Sequence, residues 1–285
     1  MISLTGNEID SILSDVTTEE ISSNLGYFSK PFRIYRNGKP YFIKLYLPVR
    51  DEKFVSSIID NHEKYLTELK YAGLKIPDTF IASRQKGKKH QIVIIQDSFD
   101  DDELLRNRIL EARIGELTGL MAMVFDEIIE YWNRKNKSVE IGFHPTLRNY
   151  SLHEGELWFF DTFPPMLMDQ RKLNALILRM SPYGGLLRKI SPLNLINKVS
   201  DEYYQLDKML SGIVGSCCRL RPDDASKILV FSREYFKGNP SITESDKERI
   251  RLLLKEPPHL SGIWILIRKL SGKPGKPNIN IPSSS

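Results

Sequence analysis

The dipeptide Asn37-Gly38 constrains this chain most. It stands between two apolar segments, Phe32-Arg-Ile-Tyr35 and Tyr41-Phe-Ile-Lys-Leu-Tyr46. Asn-Gly supplies the positive φ that a two-residue connection demands at both positions, so it marks a β-hairpin. The period then changes. From Asp51 to Ala72 the residues Phe54, Ile58, Ile59, His62, Leu66 and Leu69 recur at three and four, the spacing of a helix. Gly73 is a natural stop and Pro77 cannot continue the turn. Two further strand-like runs follow, Thr79–Ala82 and Gln91–Ile95, joined by the polar Arg84–Lys89. Residues 25–96 therefore spell β-β-α-β-β.

Beyond them the pattern is mostly helical. Leu104–Leu117 and then Leu120–Asn133 form a long amphipathic stretch, and helices are expected over Asp169–Ile196, Asp201–Gly215, Pro222–Phe236 and Glu244–Leu254. Two short strands, Tyr150–Leu152 and Leu157–Phe160, interrupt them around the turn Glu154-Gly155. Thr5 and Glu8 have capping-box spacing ahead of Ile9, Ile12 and Leu13, which predicts an N-terminal helix over 5–24. The expected organisation is an N-terminal helical extension (1–24), a β-rich lobe with one helix (25–99), a helical lobe carrying the short hairpin (100–271) and a disordered tail (272–285). The fold class is α+β.

Composition narrows the functional classes. The net charge of +5 would favour anionic partners, but Lys and Arg are spread along the chain rather than clustered, so a nucleic-acid interface is not expected. The two cysteines, Cys217 and Cys218, are adjacent and seldom pair in that arrangement, so no disulfide framework exists. The five histidines have no zinc-like spacing. The N-terminus has no basic start followed by an apolar core, and the run Leu260–Leu270 is too short and too interrupted to span a bilayer. A cytoplasmic protein is the expectation.

Two constellations carry chemistry. Lys44 stands in mid-strand between Ile43 and Leu45, and the helix after it carries Glu63. A Lys–Glu pair so placed positions nucleotide phosphates in kinase-type sites. Glu68 competes for the role, but five residues on a helix is a 500° rotation, so only one of the two acids can face the strand; Glu63 is preferred. The second constellation is Ile141-Gly-Phe-His-Pro-Thr-Leu-Arg-Asn149, followed by Leu157-Trp-Phe-Phe-Asp161. An asparagine opens a short hairpin and an aspartate closes it, bringing an amide oxygen and a carboxylate together. Hard oxygens beside phosphates suit Mg²⁺. The plainer alternative is that both are turn residues.

Asn61-His-Glu-Lys-Tyr-Leu-Thr-Glu-Leu-Lys-Tyr-Ala-Gly-Leu-Lys-Ile-Pro77 resembles the helix and Gly-x-x-x-Pro exit of the aminoglycoside and choline kinase-like phosphotransferases. Gly142-Phe-His-Pro-Thr-Leu-Arg-Asn149 resembles their catalytic loop, and Phe159-Phe-Asp161 their metal-binding aspartate. The similarity runs from near Gly26 to Pro165. It implies a two-lobed protein-kinase-like fold using ATP and Mg²⁺. Nucleotide contacts are then expected from Lys44, Glu63, Gly26, Gln96 and Asn149, metal ligation from Asn149 and Asp161, and catalysis from His144 and Asp161.

The chain departs from the family in two places. His144 stands where the family has its catalytic aspartate, and only Gly26 remains of the glycine-rich phosphate loop. His144 admits three readings: a general base, the mark of a pseudokinase that binds nucleotide without transferring phosphate, or a loop histidine packed by its neighbours. The run Asp100-Asp-Asp-Glu103 reads as helix N-capping or as a subsite for an amine-bearing substrate. The expected activity is ATP-dependent phosphorylation of a hydroxyl on a small molecule, with a pseudokinase as the alternative.

Overall fold

The computed structural model describes residues 31–36, 39–180 and 201–259. Strands β1 (Pro31–Arg36) and β2 (Lys39–Leu45) pair antiparallel with Arg36 opposite Lys39, leaving two residues to connect them. With β3 (Thr79–Lys86) and β4 (Lys89–Asp97) they form one antiparallel sheet in the order β1-β2-β4-β3. The polar stretch 84–89, expected as a connection, is mostly strand: Arg84 pairs with Gln91, and Lys86 with Lys89 around Gly87 at φ +63°. Its side chains are polar because β3 is an edge strand, and hydrophobic alternation does not report backbone pairing there.

Helix α1 (Glu52–Tyr71) lies between β2 and β3 in the chain. Asp51 caps it, accepting from the Phe54 amide at 3.0 Å. It buries Val55, Ile58, His62, Tyr65 and Leu69, one stripe at alternating three- and four-residue spacing. Val55 and Ile58 pack with Ile81, Ile92 and Ile94 on one face of the sheet, while Ile34, Ile43, Val93 and Ile95 fill the other.

The remainder is helical around one short hairpin. The expected long amphipathic stretch is two helices, α2 (Leu105–Glu111) and α3 (Ile114–Arg134), broken at Ala112 and Arg113. Arg221 holds the break, its guanidinium donating to the carbonyls of Ile109, Leu110 and Ala112 at 3.0, 3.2 and 2.7 Å. A partner so distant in sequence leaves no local signal. Strands β5 (Tyr150–His153) and β6 (Glu156–Phe159) turn on Glu154 and Gly155, both at positive φ. Then come α4 (Gln170–Met180), α5 (Leu206–Leu220), α6 (Ala225–Gly238) and α7 (Glu244–Leu253). Helix α5 starts later than the expected Asp201, because Asp201–Tyr203 forms a separate 3₁₀ turn. Cys217 and Cys218 are free and buried on it.

One core runs from Leu69 of α1 through Phe143, Tyr150 and Phe159 to Leu117, Phe125 and Ile128 of α3 and Leu210 and Ile213 of α5. The expected helix over 5–24, the Asn37-Gly38 turn, the part of the helix expected over 169–196 that follows Met180, the apolar run 260–270 and the tail 272–285 lie outside the described residues. The architecture is α+β, an antiparallel sheet with one helix followed by a mostly helical part. No helix among the described residues is long and apolar enough to cross a membrane.

Gly73 ends α1 at φ +98°, where a Cβ would also stand 3.2 Å from Arg134 Nη1. Gly73→Ala is expected to lower unfolding stability by about 1–2 kcal/mol, measured by urea denaturation. A variant as stable as wild type would show that the α1 exit is not constrained in this way.

Candidate active site

Lys44 shares with Phe42 of β2 and with Tyr46, just past it, the face of the sheet covered by α1. Its ammonium donates to Asp161 Oδ1 at 3.2 Å and to the Phe160 carbonyl at 3.3 Å. The Lys44 side chain is 11% accessible and that of Asp161 38%. Asp161 lies just past β6, where the register sets Tyr150 opposite Phe159 and the Phe160 amide donates to the Asn149 carbonyl at 3.0 Å. Asn149 and Asp161 thus sit at the open end of one two-stranded hairpin.

The loop from Ile141 to Asn149 is fixed from several sides. The Gly142 amide donates to the Met166 carbonyl and the Phe143 amide to the Tyr203 carbonyl, both at 2.8 Å. Tyr65 of α1 donates its hydroxyl to the Gly142 carbonyl at 2.9 Å. A Cβ at Gly142 would come within 2.8 Å of the Tyr204 ring, so only glycine allows that approach. Phe143 packs between Tyr131 and Phe159 with ring centroids 4.6 and 4.8 Å away. Asn149 is buried, and its amide nitrogen donates to the His144 carbonyl at 3.1 Å, closing the loop on itself.

His144 lies against the Tyr203 ring, with centroids 4.3 Å apart, and its Nε2 is 3.7 Å from Glu202 Oε1. Burial, then Arg148, pushes the imidazole down to about 3, against the pull of Asp161. It is neutral at physiological pH. Sequence reasoning missed Glu202: it comes from the 3₁₀ turn ahead of α5, and no motif connects it to the loop.

The structure corrects the Lys44–Glu63 pair. Glu63 is exposed, and among the described residues the ion-pair partner of Lys44 is Asp161. The physical reason is the buried stripe of α1. His62 belongs to it, and Glu63, about 100° further round the helix, faces solvent. His62 is fully buried, with Nε2 2.9 Å from Thr162 Oγ1, the residue after Asp161. Burial, then the charge of Lys44, pushes it down to about 3.

Gln96 is buried at the end of β4. Its amide nitrogen donates to Thr79 Oγ1 at 2.8 Å, and its buried carbonyl oxygen has no protein partner. Gly26 lies outside the described residues. The acidic run does not cap α2, whose N-cap is Leu104 without a side-chain hydrogen bond. Instead Asp101 pairs with Arg33 at 3.1 Å, and Glu103 Oε1 meets His153 Nδ1 at 2.6 Å. The run ties β1 and the β5–β6 hairpin to the linker.

Among the described residues no group of three or more His, Cys, Asp or Glu side chains could hold a metal. A cage built by protein alone is therefore not formed there. Asn149 and Asp161 carry an amide oxygen and a carboxylate, the hard donor types that Mg²⁺ takes beside water and phosphates.

A family model described as a family of unknown function, DUF6206, matches residues 10–275. The chain belongs to that family. No protein of curated function matches it in sequence. Solved structures that it is similar to include WaaP in complex with acyl carrier protein, at 12% identity over 93% of this chain and 91% of that one, TM-score 0.41. The maize SIRK1 kinase domain bound to AMP-PNP is 13% identical over 89% and 95%, TM-score 0.47. The Mycobacterium tuberculosis PknI kinase domain is 13% identical over 88% and 98%, TM-score 0.35. None of these likenesses bears on the activity of this DUF6206 member.

The buried His62 makes stability pH-dependent. Its pKa is about 3 in the fold against about 6.5 when unfolded, so between those values only the unfolded chain takes up the proton. Stability should fall as pH drops below about 6.5, by at most about 1.4 kcal/mol per pH unit from this residue. His62→Gln should reduce the slope of unfolding free energy between pH 5 and 7, leaving the share of His144, which burial also pushes down to about 3. An unchanged slope would show that another group carries the acid sensitivity.

Proposed function

We propose that the chain is an ATP- and Mg²⁺-dependent phosphotransferase acting on a hydroxyl of a small molecule, related in mechanism to the aminoglycoside and choline kinase-like enzymes. The observation that carries this reading is the Lys44–Asp161 ion pair, which joins a sheet lysine to the aspartate at the end of the hairpin. A nucleotide phosphate arriving there meets the ammonium of Lys44, released from Asp161. Asp161 and the Asn149 amide oxygen are the oxygens that would hold Mg²⁺, which when bound offsets the charge on the phosphates. Asn149 is pre-oriented for this by its hydrogen bond to the His144 carbonyl. Gln96, with an unpartnered acceptor beside Thr79, would lie along the nucleotide. His144 occupies the place where the family's aspartate receives the hydroxyl proton, and burial keeps it neutral. Asp101 and Glu103 are engaged by Arg33 and His153, so an amine-bearing substrate would find Asp100 and Asp102.

A specific observation favours a second reading, a pseudokinase. Glu63 faces solvent, so the Lys–Glu pair that orders the phosphate lysine in active kinases is not made, and Asp161 holds Lys44 instead. A nucleotide-binding module without transfer needs only that arrangement.

Thermal unfolding with ATP, with and without Mg²⁺, separates these readings from a chain that binds no nucleotide. A ligand at a hundredfold excess over Kd adds about 2.7 kcal/mol to native-state stability. ATP with Mg²⁺ is expected to raise Tm more than ATP alone, and Asp161→Ala should remove that Mg²⁺-dependent increment. Lys44→Ala should weaken ATP binding on the order of 10–100-fold, the value of one charge-assisted hydrogen bond. Glu63→Ala should leave it unchanged. Equal Mg²⁺ increments in wild type and Asp161→Ala would refute the metal assignment, and unaltered ATP affinity in Lys44→Ala would refute the phosphate site.

A further inference from the structure

We propose that Glu202 supplies the proton-accepting carboxylate that the loop itself lacks. This rests on the phosphotransferase reading and deepens it. From Ile141 to Tyr150 the loop contains no acid. Asp161, the carboxylate at the hairpin end, is engaged by Lys44. The carboxylate that does meet the loop at His144 is Glu202, 3.7 Å from His144 Nε2. That separation is too long for a direct hydrogen bond, and a single oxygen can contact both groups.

The placement of Glu202 is enforced by its neighbours. Tyr203 accepts the Phe143 amide at 2.8 Å through its carbonyl and sets its ring, tilted by 50°, against that of His144. Tyr204 sits against Gly142 and donates its hydroxyl to the Met168 carbonyl at 2.8 Å. The two residues after Glu202 therefore bind the turn to the loop and to the segment beyond Asp161. Of the pair, Glu202 is the more accessible, 42% against 18% for His144, so an incoming hydroxyl reaches the acid more readily than the imidazole. Burial pushes the Glu202 carboxyl up, with Arg219 and Arg148 opposing.

In the step this assigns, the acceptor oxygen forms a bond to the γ-phosphorus of ATP. The bond from that phosphorus to the β–γ bridging oxygen breaks, and ADP leaves with the electron pair. The hydroxyl proton passes to Glu202, and His144 Nε2 orients the acceptor oxygen. The arrangement moves the acid from the loop, where the aminoglycoside and choline kinase-like enzymes keep it, to the turn before α5.

The test uses the full chain with ATP and Mg²⁺ and water as the acceptor hydroxyl, following ADP formation, with nucleotide binding read separately by thermal shift. Glu202→Gln should lower kcat roughly 10²–10⁴-fold, the usual loss for a general base, while leaving KM for ATP and the nucleotide-induced Tm shift unchanged. Glu202→Asp should recover part of the rate. Added formate should restore part of the activity of Glu202→Ala, which a merely structural role would not allow. Wild-type turnover in Glu202→Gln, with no formate effect on Glu202→Ala, overturns the proposal and leaves the phosphotransferase reading standing. A wild type that binds ATP with Mg²⁺ yet forms no ADP overturns it in favour of the pseudokinase. A wild type that binds no ATP removes both this proposal and the reading beneath it.

Discussion

The ion pair between Lys44 and Asp161 is the contact on which the rest of the site depends. It joins the second strand of the sheet to the end of a hairpin belonging to the helical part, across more than a hundred residues of sequence. A part-buried ion pair is a poor device for stability, because desolvating both charges costs nearly what their attraction returns. Apolar residues of similar size would hold the two parts together at least as well. The proposed phosphotransferase chemistry would need both the cation and the carboxylate, each holding the other in place until phosphate and metal replaced it.

The surroundings of that pair are arranged to keep it in register. His62 presses from α1 onto Thr162, and Tyr65, one turn further along the same helix, holds the Gly142 carbonyl. The same helix face that fills the core therefore positions both the segment after the aspartate and the start of the loop. Glu103 serves the other end of the hairpin, with its carbonyl accepting from Ser151 and Leu152 and its carboxylate engaging His153. The hairpin cannot shift without breaking contacts to α1, the linker and the sheet together, and a site that positions reacting groups would gain from that rigidity.

Much of this architecture was legible in the residue pattern. The turn signals at Gly73 and Glu154-Gly155 mark backbone positions that few residues tolerate, and the strands expected on either side of Asn37-Gly38 pair antiparallel. Periodicity also placed Lys44 in a strand, though the strand ends one residue after it rather than running on, and set Asn149 and Asp161 at the ends of a short hairpin. What it could not do was rank residues one position apart on a helix. His62 and Glu63 differ by 100°, and the chemical appeal of a Lys–Glu pair outweighed the fact that His62 continues the stripe of Val55 and Ile58. Partners far apart in sequence were equally invisible. Arg221 holding the break between α2 and α3, Arg33 reaching Asp101 and Glu202 meeting His144 all depend on tertiary packing.

The central claim is that Lys44 and Asp161 form a phosphate and metal site rather than a structural tie. It is tested most directly by a crystal structure grown with a non-hydrolysable ATP analogue and Mn²⁺ in place of Mg²⁺. The account predicts an anomalous manganese peak bonded to Asp161 and Asn149 oxygens, with the Lys44 ammonium moved from Asp161 onto an analogue phosphate. Analogue bound elsewhere, or the Lys44–Asp161 pair intact with no manganese beside it, would contradict the account.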